Sequence, residues 1–111
     1  MSHGAALLLL LIAALLEVGA DALISTGLHR AQSGPRFGFM LAGGLLLFVY
    51  GYTVNAPGWD FGRLLGLYVV FFFCVAQLIS WLAFDQKPAT PVLLGGAFII
   101  IGGMIISSWR T

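Results

Sequence analysis

Four long apolar segments, separated by short polar stretches, make up almost the whole chain. These segments predict helices at about residues 5–28, 37–54, 61–84 and 91–109, each close to the roughly 20 residues that cross a bilayer. The breaks between them carry turn-forming sequences, Ser-Gly-Pro, Asn-Ala-Pro-Gly and Lys-Pro-Ala-Thr-Pro. The pattern therefore predicts an all-α membrane protein, with four transmembrane helices in one domain that spans residues 1–111.

The composition supports this class and limits the function. Of the 111 residues, 60% are hydrophobic and 8% are charged, whereas soluble domains carry about 25% charged residues. The net charge of +1 comes without a basic run, which argues against a nucleic-acid partner. The sequence contains no metal-ligand spacing, no nucleophile with a base and no phosphate loop, so we expect neither an enzyme nor a bound metal or cofactor.

The first apolar segment contains two carboxylates, Glu17 close to its midpoint and Asp21 one helical turn further on. A carboxylate at that depth costs roughly 2.5 kcal/mol or more to insert, so it is rarely there without a function or a partner. Alanines share the face of the two acids, whereas leucines and isoleucine take the opposite side. We therefore expect the acids to point away from lipid, across small residues that let a helix or a ligand come close.

Glu17 is interpreted as a binding site for protons and cations, since burial favours the neutral form of a carboxyl group and lets protons compete with a cation. The alternative is a purely structural role, in which Glu17 is protonated and forms a hydrogen bond with a neighbouring helix. For Asp21 two interpretations stay open. It either shares protons with Glu17 as a coupled pair or forms an ion pair with Arg63. Arg63 lies near the start of the third helix, from which it is also able to reach the membrane surface.

Tyr68 in the third helix is the candidate aromatic partner of this site. Its hydroxyl needs a polar contact within hydrocarbon, and its ring is able to stack on a cation. Phe71 and Phe72 share its face by helical spacing, although the phenylalanines are better interpreted as facing lipid. Tyr50 and Tyr52 lie near the end of the second helix, where we expect them at the membrane interface.

Glycines at intervals of seven in the fourth helix predict a smooth packing groove. Gly95 and Gly102 form one such pair, and Gly96 and Gly103 form the other. This spacing suits close helix packing in a left-handed crossing. We interpret the four glycines as a dimer interface; the alternative is packing within the protomer, since glycine is common in membrane helices. The similar pairs in the second and third helices are interpreted as internal contacts: Gly44 with Gly51, and Gly62 with Gly66.

The distribution of Lys and Arg between the two membrane sides shows almost no bias. Arg63 and Arg110 fall on the side of the termini, and three cations, Arg30, Arg36 and Lys87, fall on the other. Because this bias sets orientation, a chain so balanced is able to insert both ways and form an antiparallel homodimer. The alternative is that the difference of one cation between the two sides is enough to fix a single orientation.

Several residues resemble those of a known superfamily. They are Glu17-Val18 in helix 1 and, within the stretch from Tyr68 to Ser107, Ser80-Trp81, Phe84, Gln86-Lys87, Pro91, and Gly95 with Gly102. In these residues the chain resembles the small multidrug resistance (SMR) superfamily, four-helix antiparallel dimers that export small cations in exchange for protons. The resemblance implies that Glu17 binds protons and substrate alternately, that Tyr68 lines the substrate site and that Gly95 and Gly102 form the dimer interface.

The chain also departs from that pattern. The E-V-x-G-T of helix 1 is Glu17-Val18-Gly19-Ala20-Asp21 here, so a second acid replaces threonine. The helix 1 lysine and the W-S-G-x-G motif of helix 3 are absent. Gly62-Arg63, followed by Tyr68, is instead similar to the G-R-x-x-x-x-Y of the YnfA-like branch of small inner-membrane proteins.

Together, these features predict a proton-coupled exporter of small or hydrophobic organic cations in the bacterial inner membrane. It would work by alternating access of a dual-topology dimer, with itself, the cation, protons and the bilayer as its partners. The alternative is a non-transporting membrane subunit that docks a partner helix or a lipid headgroup.

Overall fold

The computed structural model describes residues 2–30 and 32–108, which form four α-helices. They are α1 (His3–His29), α2 (Ser33–Val54), α3 (Phe61–Phe84) and α4 (Thr90–Ser108). All four are long and apolar enough to cross a membrane, so the predicted four-helix membrane architecture is confirmed. The limits of α3 are those predicted, and the predicted end of the fourth helix at residue 109 lies outside the described residues.

The connection between α1 and α2 is shorter than the sequence predicts. We assigned Pro35 to a polar loop that ended at residue 36, which is wrong, because α2 already begins at Ser33. Pro35 occupies the first turn of α2, where a backbone N–H has no helical partner to lose. Arg36 then donates from Nε to the carbonyl oxygen of Gly27 at 3.0 Å, which joins the start of α2 to the last turn of α1.

The four helices form a layer in the order α2, α1, α3, α4, because the main packing contacts join α1 to α2, α1 to α3 and α3 to α4. The layer is thin, with principal extents of 51 × 34 × 18 Å. At one end, which we call the His3 end, His3 stacks on Trp59 just before α3. At the other, the Arg30 end, the Arg30 guanidinium lies over the ring of Phe84. Helices α1 and α3 therefore run in the same direction.

The inner face of α1 carries small residues, as predicted from its helical spacing. Four alanines of this face are fully buried: Ala6, Ala13, Ala14 and Ala20. The side chains of the opposite face are exposed at the surface of the layer: Leu8, Leu11, Ile12 and Leu15. Van der Waals contact is the main attraction between helices in lipid, so this small-residue face is what allows α2 and α3 to pack closely on α1.

Two of the four glycines in α4 pack within the protomer, which corrects their assignment to a dimer interface. Gly96 and Gly103 are buried against α3. A β-carbon at Gly96 would overlap the ring of Phe73, and one at Gly103 would overlap the side chain of Val70. These two glycines hold α4 against α3.

Gly95 and Gly102 have no heavy atom within 4 Å of an added β-carbon. They lie one residue before Gly96 and Gly103, respectively, and therefore point in a different direction around α4. Their predicted role in a dimer interface stays a prediction.

A close approach between α1 and α2 occurs at Gly43, a glycine that the sequence did not single out. A β-carbon at Gly43 would lie 2.6 Å from Cγ1 of Ile24 and 3.0 Å from the carbonyl oxygen of Ala20. Gly44 and Gly51, which we assigned to internal contacts, have open space around them, and so has Gly62. Gly66 does face a neighbour, Ile106 of α4.

Candidate functional site

The site is centred on a hydrogen bond between α1 and α3. Tyr68 donates from its hydroxyl to Oε1 of Glu17 at 2.7 Å, and the same hydroxyl lies 3.4 Å from the carbonyl oxygen of Ala13. Tyr68 is buried, with 5% of its surface exposed, whereas Glu17 is half-buried at the surface of the protomer. The structure thus brings together the acid and the aromatic residue that the sequence singled out, near the middle of α1 and in the first third of α3.

A second tyrosine, Tyr50, belongs to this site, and the sequence did not lead us to expect it there. Tyr50 of α2 is half-buried, and its ring centroid lies 5.6 Å from that of Tyr68. Phe72 lies on another side of Tyr68, at 6.3 Å between centroids. We expected Tyr50 at the membrane interface, whereas the structure packs its ring beside that of Tyr68. The expectation that Phe72 faces lipid stays a prediction, because Phe72 is half-buried and its contact with Tyr68 lies within α3. The sequence carried no signal for this contact, because the facing of α2 becomes evident only from the packing of Gly43 against α1.

No described cation neutralises Glu17, because each one contacts another group. Arg36 binds the carbonyl of Gly27, and the other three lie over aromatic rings. These are Arg30 over Phe84 at 4.6 Å, Arg63 over Trp59 at 4.7 Å and Lys87 over Trp81 at 5.8 Å from the ring centroid. Among residues 2–30 and 32–108, the nearest polar partner of the Glu17 carboxyl is therefore the neutral hydroxyl of Tyr68.

The structure does not bring Asp21 and Arg63 together. Asp21 lies one turn beyond Glu17 towards the Arg30 end, whereas Arg63 lies five residues before Tyr68 towards the His3 end. At 1.5 Å per residue, these displacements separate the two side chains by about 13 Å along the helix axes. The protomer therefore does not form the alternative ion pair. Within the described chain, Nε of Arg63 is buried without a hydrogen-bond partner.

Asp21 instead faces a groove between the second halves of α1 and α3. The groove has a volume of about 400 Å³ and extends to the Arg30 end. Val18 and Asp21 form its inner end, next to Glu17. Its remaining lining includes several polar residues in the second halves of α1 and α3 or just beyond their ends: Ser25, His29, Arg30, Ser80 and Gln86.

A turn at the end of α3 places Gln86 at the mouth of the groove. Asp85 adopts a left-handed conformation, with φ of 54°, and the N–H of Gln86 then bonds the carbonyl of Ser80 at 3.0 Å. The Ser80 hydroxyl also lies 3.2 Å from Oε1 of Gln86. The chain thus folds back over the last turn of α3, which keeps two polar side chains beside the groove.

On the other side of Glu17, towards the His3 end, the interface between α1 and α3 is closed. Leu10, Ala13, Leu64 and Leu67 pack there with at most 5% of their surfaces exposed. Along α1, Glu17 therefore lies between this closed apolar layer and the residues that line the groove, although its own side chain is not part of that lining. This asymmetry between the two ends follows from where the large aliphatic side chains fall along α1 and α3.

The described residues contain no cluster of three His, Cys, Asp or Glu side chains able to hold a metal ion. Cys74 is exposed and not paired in a disulfide.

Comparisons with known proteins identify the family. The profile described as "Uncharacterised BCR, YnfA/UPF0060 family" matches residues 5–111. A UPF0060 membrane protein of Herpetosiphon aurantiacus is 31% identical over 106 residues, which cover 94% of each chain. The UPF0060 membrane protein YfjF of Bacillus subtilis is 36% identical over 103 residues, 90% of this chain and 89% of that one. No solved structure matches the chain. With a match over nearly its whole length, the chain belongs to the YnfA/UPF0060 family of membrane proteins.

Proposed function

We propose that this protein is a proton-coupled carrier that exports small or hydrophobic organic cations across the bacterial inner membrane. The observation that carries the proposal is the Glu17 carboxyl, held in the middle of a span by the Tyr68 hydroxyl, with no described cation to neutralise it. A carboxylate kept at such a cost in the membrane is expected to be functional. Its charge is available either to a proton or to a cationic substrate.

The exchange follows from competition at one group. Tyr68 donates a hydrogen bond to Glu17, and such a bond stabilises the ionised carboxylate, the form that attracts a cation. A proton neutralises the same group and releases the cation. The rings of Tyr68 and Tyr50, with centroids 5.6 Å apart, add aromatic surface on which a cation is able to stack.

Transport also requires that Glu17 be reached from each side in turn. In one protomer a groove lined by Val18 and Asp21 extends to the Arg30 end, and the layer around Leu10 and Leu64 closes the other direction. Two copies packed head to tail would face opposite sides of the membrane with their open grooves. We therefore propose an antiparallel homodimer, with Gly95 and Gly102 at the interface between the fourth helices. This arrangement is the one implied by the resemblance to the SMR superfamily.

The experiment measures cation movement in liposomes that contain the purified protein and a pH gradient. We expect uptake of a test cation to depend on the gradient and to be abolished in Glu17→Gln, which keeps the side-chain shape and removes the charge. Asp85→Asn is the matched control, since it removes an exposed acid from the end of α3. Full transport by Glu17→Gln would overturn the proposal.

A second candidate is a membrane subunit that does not transport and uses its acids for docking. The hydrogen bond between Tyr68 and Glu17 also supports this candidate. A tyrosine hydroxyl donates and accepts hydrogen bonds, so Tyr68 alone is a sufficient partner for a permanently protonated Glu17. This candidate predicts that cations release no protons from the solubilised protein, and that another chain co-purifies with it. Proton release that disappears in Glu17→Gln excludes it.

A further inference from the structure

We propose that the cluster formed by His3, Trp59, Arg63 and Ser107, which we call the Arg63 cluster, binds the phosphate group of an anionic phospholipid. The Arg63 guanidinium is the cation of this site. The cluster joins the start of α1, the residue Trp59 before α3 and the end of α4, so it lies at the His3 end of the layer. The inference goes beyond the proposed function and does not depend on it.

Trp59 connects the members of the Arg63 cluster. The His3 ring stacks on it at 5.4 Å between centroids, and the guanidinium carbon of Arg63 lies 4.7 Å from the centroid of the Trp59 ring. The Ser107 hydroxyl lies 3.4 Å from Nε2 of His3, which brings the end of α4 to the same place. Trp59 also packs against the buried core of the layer. The guanidinium is therefore held against a ring that is itself fixed by the fold.

The Arg63 guanidinium has hydrogen-bonding capacity that the described chain leaves unused. Among residues 2–30 and 32–108, its buried Nε has no hydrogen-bond partner. Contact with the face of an indole attracts the positive charge but supplies no oxygen acceptor. Asp60, three residues earlier, is exposed and makes no capping bond to α3. The Arg63 side chain as a whole is only half-buried, so an anion at the surface is able to approach its terminal nitrogens.

The depth of Arg63 matches that of lipid headgroups. Helix α3 has 24 residues, which corresponds to a length of about 36 Å, against about 30 Å for the hydrocarbon core. Its ends therefore extend a few ångströms beyond the core. Arg63 is the third residue of α3, about 3 Å from its start, and so lies at the boundary between hydrocarbon and headgroups. A guanidinium at this boundary forms paired hydrogen bonds with a phosphate group.

The surface next to the cluster favours a phospholipid over a soluble phosphate. Met104 and Ile105 of α4 precede Ser107 by two to three residues and are exposed. Because α4 runs from the Arg30 end to the His3 end, these side chains lie on the hydrocarbon side of Ser107. The acyl chains of a lipid bound at the Arg63 cluster therefore meet apolar surface, which a free phosphate ion is unable to use.

The experiment measures lipid retention by the full chain in detergent with native mass spectrometry. The probes are dioleoylphosphatidylglycerol, which is anionic, and dioleoylphosphatidylcholine, which has a phosphate group but no net charge. We expect the wild type to bind the anionic lipid about fivefold more tightly, since one basic residue near an anionic surface contributes about 1 kcal/mol. Arg63→Gln should abolish this preference. The matched control is Lys87→Gln, which removes an exposed cation that also lies over a tryptophan ring and should keep the preference.

Two further measurements hold even if Arg63→Gln does not fold. Arg63→Lys keeps the charge but lacks the planar fork of the guanidinium, so its preference should lie between those of the wild type and an equal binding of both lipids. In the wild type, the preference should decrease as the salt concentration rises, because the attraction is electrostatic. Excess inorganic phosphate should not displace the anionic lipid, since it makes no contact with Met104 or Ile105.

Several outcomes would contradict the inference. Equal retention of the two lipids by the wild type, a preference that survives in Arg63→Gln, or the same loss in Lys87→Gln would each overturn it. Displacement of the anionic lipid by inorganic phosphate would overturn the assignment of a phospholipid as the ligand. Each of these outcomes leaves the proposed function standing, because that function is tested separately by transport in Glu17→Gln.

Discussion

Replacing Gly103 with alanine would place a methyl group inside the side chain of Val70. The added β-carbon overlaps Cγ2 of Val70 and lies 3.3 Å from its Cβ. A β-branched side chain has little rotamer freedom in a helix, so Val70 is unable to turn away and the two helices must separate. Forcing an extra methyl group into a packed interface costs about 1–3 kcal/mol. We expect Gly103→Ala to lower the free energy of unfolding by that amount.

The neighbouring glycine provides the matched control. Gly102 has no heavy atom within 4 Å of an added β-carbon, so Gly102→Ala should change the free energy of unfolding by no more than about 0.5 kcal/mol. Gly96→Ala should fall between the two, because the atoms it meets are at the tip of the Phe73 ring and able to rotate aside. The assay is unfolding in mixed detergent micelles with increasing SDS, followed by far-ultraviolet circular dichroism.

Equal losses in Gly102→Ala and Gly103→Ala would refute this reasoning, since they would show that α4 does not contact α3 through one face. A neutral Gly103→Ala would refute it as well. The proposed dimer adds a separate expectation for the same variants. Gly102→Ala should reduce chemical cross-linking between two copies while the unfolding curve of the protomer stays in place.

Two further predictions concern the site and the packing of α2. Tyr68→Phe removes the hydroxyl that donates to Glu17 at 2.7 Å. A hydrogen bond to a charged group contributes about 1.5–3 kcal/mol. Its loss favours the protonated carboxyl group, so protons compete better and cation affinity should fall, by at most about 10- to 150-fold, in a binding titration near neutral pH. Tyr52→Phe, at an exposed position, should leave it unchanged, and equal affinity of both variants would exclude a role for the Tyr68 hydroxyl. Gly43→Ala should destabilise the fold by about 1–3 kcal/mol, because its β-carbon meets α1, whereas a comparable loss in Gly44→Ala would contradict the observed facing of α2.

Much of the architecture could be predicted because a membrane imposes strong rules on sequence. A span must be long, apolar and helical, so the four segments and the limits of α3 could be recognised from composition alone. The error at the start of α2 came from Pro35, since a proline is acceptable both in a turn and in the first turn of a helix. Local sequence does not distinguish those two positions.

The central pair of the site was within reach of the sequence, but its surroundings were not. Glu17 was identifiable because a charge in hydrocarbon is costly, and Tyr68 because its hydroxyl needs a partner there. Tyr50 was assigned to the interface, since position along a span suggests depth and does not tell which neighbour a ring meets. The groove at Asp21 depends on how α1 and α3 pack beyond Glu17, which no residue in either helix determines by itself.

The sequence by itself thus determined that this chain crosses a membrane four times and keeps an acid at the centre of its first span. Tertiary structure decided which glycines face a neighbour. Gly102 and Gly103 are adjacent and identical, and only the position of α3 makes one a packing contact and leaves the other open. The physical reason is that insertion is governed by the transfer energy of each segment, which adds up along the chain. Helix association is instead governed by short-range contact, which depends on atoms that lie far apart in sequence.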